Sequence, residues 1–154
     1  ELSSLEMLNN AEIAFPAPAA FAATVLPQAN LTRRNIPFTP SYVSSHDSVY
    51  AGVAKGFFVA GGGIERTLST LPKYLSKKLK VIWRSEGYTP HAFAVHPRVS
   101  DETASRIQNA LVSLNSLEVG KNILNRLGFN TGIIKSVDSD WDDVRALNIQ
   151  IIDL

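Results

Sequence analysis

The chain has 154 residues, 45% of them hydrophobic and 19% charged, with a formal net charge of +1, three histidines and no cysteine. That length is one domain, able to bury roughly two thirds of its unfolded surface. Near-neutrality without basic runs argues against nucleic-acid binding, and no apolar stretch approaches the roughly 18 residues of a membrane span. The absence of cysteine excludes a disulfide framework, a thiolate metal site and a thiol nucleophile, but leaves the compartment undecided. The first residue is Glu1 and no signal-like pattern follows it, so the chain is expected to be a piece of a longer precursor.

Glu1 to Asn10 reads as a short helix or a connecting segment. "EIAF" (Glu12 to Phe15) has the composition of a buried strand, ended by Pro16 and Pro18. A helix from about Ala19 to Arg34 is expected next, with Phe21, Val25, Leu26, Ala29 and Leu31 on one side, kinked or split at Pro27. "IPFTPSYVS" leads into a second strand around Ser41 to Val43. In "SSHDSVYAGVAKG", Ser44 and Asp47 have capping-box spacing, Val49 and Val53 are helical neighbours, and Gly56 fits the stop. "FFVA" (Phe57 to Ala60) reads as a third strand, followed by "GGG" and a helix from Ile64 to Leu75.

"KVIWRS" (Lys80 to Ser85) and the alternating "HAFAVH" (His91 to His96) read as further strands. Asp101 to Leu114 is expected to be helical with Ser100 as N-cap, and Leu117 to Leu127 forms a second helix stopping at Gly128. An extended "GIIKSV" and a short acidic helix near Asp140 to Leu147 complete the chain. Strands and helices alternate throughout, which predicts an α/β sandwich around a mainly parallel sheet.

Several features could carry chemistry. The strand–turn–helix at Phe15 to Ala22 has the architecture of an anion site, since a helix N-terminus presents outward N–H groups and a positive dipole end; most such turns are plain connections. The helix start at Ser44 to Ser48 adds hydroxyls and His46, against the plainer reading of a surface cap. "AGGG" (Ala60 to Gly63) fits neither nucleotide fingerprint and reads as close backbone packing. His91 and His96 point to opposite faces of a strand, a poor geometry for one metal ion. Asp138, Asp140, Asp142 and Asp143 lack the glycine and distal glutamate of a calcium loop. No G-x-S-x-G elbow is present, and nothing assembles a nucleophile, a base and an oxyanion hole.

Taken in order, "IAFPAPAAFAATVLPQANL", "SSHDSVYAGVAKGFFVAGGG", "KLKVIWRSEGYTPHAFAVHPRVSDETASRIQNALVSL", "GKNILNRLGFN" and "DSDWDDVRAL" resemble one family. It is the phosphate/phosphite/phosphonate-type periplasmic solute-binding proteins of ABC transporters. The resemblance implies a type II periplasmic-binding-protein-like lobe, with residues 11–98 as the second lobe and 99–154 as helices returning toward an absent first lobe. It implies no enzymatic activity and no cofactor. Its partners would be a small solute, an inner-membrane ABC permease, and the missing N-terminal lobe or another copy of the chain; its place would be periplasmic, or extracytoplasmic and membrane-anchored.

Carried over residue by residue, the family's Ser-Thr-Ser anion loop falls on Ala19, Ala20 and Phe21, which keep the backbone donors and lose the hydroxyls. The "S-H-[DE]-x-V" segment falls on Ser45 and His46. The "G-x-x-D-A-G" segment falls on Gly56 to Gly61, where Val59 replaces the acid that would pair with a ligand amine. Ser85 and Tyr88 match a segment bordering the cleft. The ligand is then a phosphonate- or phosphate-like oxyanion, or a more apolar or differently charged solute. The alternative role is the extracytoplasmic sensor region of a signalling receptor, and a hydrolase or transferase is a third reading.

Overall fold

The computed structural model describes residues 4–149. The expected helical segment at Glu1 to Asn10 is therefore seen from Ser4 onward, as a 3-10 turn at Leu5–Leu8, and Glu1 to Ser3 lie outside the described residues. The chain divides into two compact units, one containing residues up to Gly87 and the other running from Tyr88 to Leu147.

The first unit is built on a three-stranded parallel sheet: β1 (Ala11–Phe15), β2 (Phe38–Tyr42) and β3 (Ala60–Gly61), in the order β2-β1-β3. Ala11 pairs with Phe38 through to Phe15 with Tyr42, and Ile13 pairs with Ala60. The central strand is the apolar one because both its faces are covered. On one face Ile13 and Phe15 join Leu8, Leu31 and Ile36 in the core. The Phe15 ring meets Phe38 edge-on, with centroids 6.3 Å apart. On the other face lies α2 (His46–Ala54), close enough that a Cβ at Gly61 would press against Val49 and Val53.

The helix expected over Ala19 to Arg34 changes register on the way. Phe21–Val25 is a π-turn, with the Ala20 carbonyl accepting from both Thr24 and Val25, and α1 (Leu26–Arg33) follows. Pro27 is the second residue of α1 and has no N–H to give the Ala23 carbonyl four residues back. The change from π-turn to α-helix falls at Leu26, beside the proline expected to kink or split the run.

Other boundaries also shift for identifiable reasons. Ser45, not Ser44, caps α2: its Oγ accepts from the Ser48 N–H at 3.1 Å, and Ser44 takes a left-handed backbone, φ 69°. Only Ala60 of "FFVA" enters a strand. The Phe57 N–H instead closes the end of α2 on the Gly52 carbonyl, helped by left-handed Gly56. The single helix expected from Ile64 to Leu75 is two, α3 (Glu65–Thr70) and α4 (Lys73–Ser76). Pro72 forces Leu71 into extended backbone and breaks the run. Neither "KVIWRS" nor "HAFAVH" joins a ladder among the described residues.

The second unit is helical. In α5 (Asp101–Ser113) the Ser100 cap accepts from the Thr103 N–H, and α6 (Glu118–Leu127) ends at left-handed Gly128. Asn115 bonds both the N–H and the carbonyl of Ile133, holding the "GIIKSV" stretch. A 3-10 turn (Asp138–Trp141) and α7 (Asp142–Arg145) form the acidic end. They are clipped to the unit's first residues: the Thr89 N–H donates to Asp143 and the Trp141 indole N–H to the Pro90 carbonyl. No helix of the described residues is long and apolar enough to cross a membrane.

Candidate ligand-binding edge

All three strands are parallel, so their carboxyl ends fall on one edge of the sheet, where ligands of open α/β sheets bind. Phe15 and Tyr42 are opposite each other at that edge, and the ladder continues one step as the Val43 N–H donates to the Phe15 carbonyl at 2.9 Å. The connections that leave there carry the residues singled out in the sequence. Ala19, Ala20 and Phe21 follow β1; Ser45 and His46 follow β2. Two helix starts thus emerge from neighbouring strands at the same edge.

His46 is the first residue of α2 and half-buried, and its Nδ1 is shielded from solvent with no hydrogen-bond partner. A ring nitrogen in that state has a proton to give or a lone pair to fill. Beside it the Ser45 hydroxyl is engaged with Ser48, both with its N–H and with its Oγ at 2.8 Å. That leaves the N–H groups earlier in the turn as the outward donors. Asp47 is an exposed carboxylate in the same first turn. It opposes an incoming anion and offsets part of the dipole.

Behind β1, Ala19 is exposed while Ala20 and Phe21 are half-buried. Thr24, one turn further on, is buried with its Oγ1 unpartnered. Sequence reading passed over Thr24 because it sits among Phe, Ala and Val; the only available signal was a lone hydroxyl on the buried side of an apolar turn.

The glycines after β3 serve packing, as expected. A Cβ at Gly62 would overlap the Ala23 carbonyl oxygen, and a Cβ at Gly63 would overlap the Tyr50 hydroxyl. The Tyr50 hydroxyl donates to the Ile64 carbonyl at 2.7 Å and pins this loop to α2; burial raises its pKa above the ordinary phenol value. Ser85 is exposed at the end of the Lys80 segment in the first unit, and Tyr88 opens the second unit, half-buried. Among the described residues no cluster of three or more His, Asp or Glu could hold a metal ion.

A three-stranded parallel sheet flanked by helices is consistent with a periplasmic-binding-protein-like fold. Residues 1–141 match the family model for ABC transporter, phosphonate, periplasmic substrate-binding proteins, and the chain belongs to that family. Comparison with curated proteins gives no match. Family membership makes the protein a substrate-binding component of an ABC transporter, a class generally without enzymatic activity that serves a membrane permease outside the cytoplasm.

Proposed function

We propose that this chain supplies one wall of an interlobe cleft that closes on a small oxyanion of the phosphonate or phosphate class. Residues 11–98 would form the second lobe and 99–154 the elements returning toward the first, of which Gln150 to Leu154 lie outside the described residues. The other wall would come from a first lobe or from another copy of the chain. The observation carrying this reading is the pairing of β1 with β2, which delivers Ala19–Phe21 and Ser45–His46 to one sheet edge. In it, main-chain N–H groups at the two helix starts hold the anion, and His46 donates from the side. Ser85 and Tyr88 would border the cleft. Ala19, Ala20 and Phe21 contribute no hydroxyls, so selectivity rests on backbone donors and on the apolar surface beside them.

Calorimetric titration of the full protein with phosphate, phosphite and methylphosphonate tests the reading. His46→Ala is expected to weaken binding by about 10- to 100-fold, the worth of one hydrogen bond to a charged group. If none of the three anions binds while a neutral solute does, the oxyanion assignment fails.

A further inference from the structure

The chain is close to neutral as a whole, yet its lysines are not spread evenly. Four of the seven, Lys73, Lys77, Lys78 and Lys80, fall within eight residues, and no acidic residue occurs between Glu65 and Glu86. All four are exposed, and none forms an ion pair among the described residues. Glu65, the acid before the stretch, is engaged with Arg84. The stretch belongs to the first unit and takes no part in the candidate edge.

Local structure sets these charges outward. Pro72 starts α4, and helical turns continue past its end: the Lys78 N–H donates to the Leu75 carbonyl at 2.9 Å and the Leu79 N–H to the Ser76 carbonyl at 3.1 Å. In such a run Leu75 and Leu79 share one side, and Lys73 and Lys77 share the opposite one. Both leucines are half-buried and α4 packs against α2, which turns Lys73 and Lys77 away from the unit. Tyr74 stands beside them, 70% exposed. Like charges one helical turn apart repel, a cost that is relieved when anions gather over them.

Three observations select the kind of anion. Lysine ammonium groups are point charges on flexible stems, suited to a diffuse layer of negative charge, whereas a shaped carboxylate or phosphate site favours the planar fork of arginine. An exposed tyrosine among lysines is the composition of a surface that meets a bilayer interface. The family works outside the cytoplasm against a membrane transporter, so the polyanion within its reach is the headgroup layer of that membrane.

We propose that Lys73–Lys80 is a membrane-docking face whose partner is the anionic phospholipid headgroup layer around the permease. The contact is electrostatic and reversible: the four ammonium groups lie over lipid phosphates and Tyr74 enters the headgroup zone. It keeps the protein at the surface where solute is handed over, and it leaves the candidate edge free.

Co-sedimentation with sucrose-loaded vesicles tests this on the full chain without solute, so the result is independent of the oxyanion reading. With phosphatidylcholine vesicles containing about 30% phosphatidylglycerol, binding is expected at about 1 mM lipid in low salt and should be lost at about 0.5 M NaCl. Phosphatidylcholine alone should not retain the protein. The combined variant Lys73→Gln, Lys77→Gln, Lys78→Gln and Lys80→Gln should bind about ten-fold or more weakly, with an unchanged melting temperature because all four side chains are exposed. A charge-matched control, Lys55→Gln, Arg98→Gln, Lys121→Gln and Lys135→Gln, should change binding by less than about two-fold. Absence of binding to the phosphatidylglycerol vesicles, equal binding to both vesicle types, or an equal loss in the control overturns the proposal. So does retention on neutral vesicles carrying the reconstituted permease with none on phosphatidylglycerol vesicles, which would assign the lysines to an acidic protein face.

Discussion

Asp47 is the residue at the candidate edge whose charge works against the proposed ligand. It stands in the first turn of α2 with its carboxylate exposed, beside His46. Asp47→Asn keeps the shape and removes the charge, and it should tighten oxyanion binding by about two- to five-fold at low ionic strength, the range of a helix-end charge interaction. Unchanged titrations would mean that the anion does not sit over this turn. Gly62 carries a structural prediction of the same kind. With the Ala23 carbonyl where a Cβ would go, Gly62→Ala should cost about 2 kcal/mol, read as a lower urea midpoint, because backbone and not a flexible side chain has to move. At this scale the sequence was informative through the resemblance, which singles out Ser45 and His46. It misplaced the cap by one residue because two serines are adjacent, and only the left-handed backbone of Ser44 separates them. Thr24 was invisible for the opposite reason, since burial is a property of the packed turn and not of its spacing.

Elements were legible where a strand or helix owns its own bonds. β1, α2, α5 and α6 fall close to their expected places because caps and periodicity suffice to start and stop them. Strands depend on a neighbour, and there the reading failed. "FFVA" gives up its first N–H to the end of α2, and "KVIWRS" has strand composition with no ladder to enter. The acidic end of the second unit offers a test by pH. The Thr89 N–H, its hydroxyl, and the Val144 N–H hold the Asp143 carboxyl below its ordinary pKa, the Thr89 backbone bond contributing most. A carboxyl with a depressed folded pKa stabilises above its unfolded pKa, and the benefit disappears as pH falls through the folded one. Protection of the Thr89 amide in hydrogen exchange should therefore persist at neutral pH and be lost on acidification below the ordinary carboxylate range. Asp143→Asn should show the low-pH behaviour at every pH. The neighbouring ion pairs of Arg145 with Asp138 and Asp142 are exposed and add little.

For the molecule as a whole, the two units differ in how much they bury. The first holds Leu8, Ile13, Phe15, Leu31 and Ile36 in one cluster. In the second, Gly120 and Leu124 are the buried residues among those described, while Val119, Ile123 and Leu127 form an apolar stripe along α6 that is 71%, 44% and 57% exposed. Native-state hydrogen exchange should accordingly place the amides of β1 and α2 near the global unfolding free energy and those of α5 and α6 well below it. Equal protection in both units would show that the helical one is stabilised by something other than its own burial. The parallel sheet has one more implication. Donors at its carboxyl edge belong to the main chain, so no exchange of side chains short of proline deletes them. Ala19, Ala20 and Phe21 keep their main-chain N–H groups beside that edge while carrying no hydroxyl, a donor set held by topology rather than by side chains.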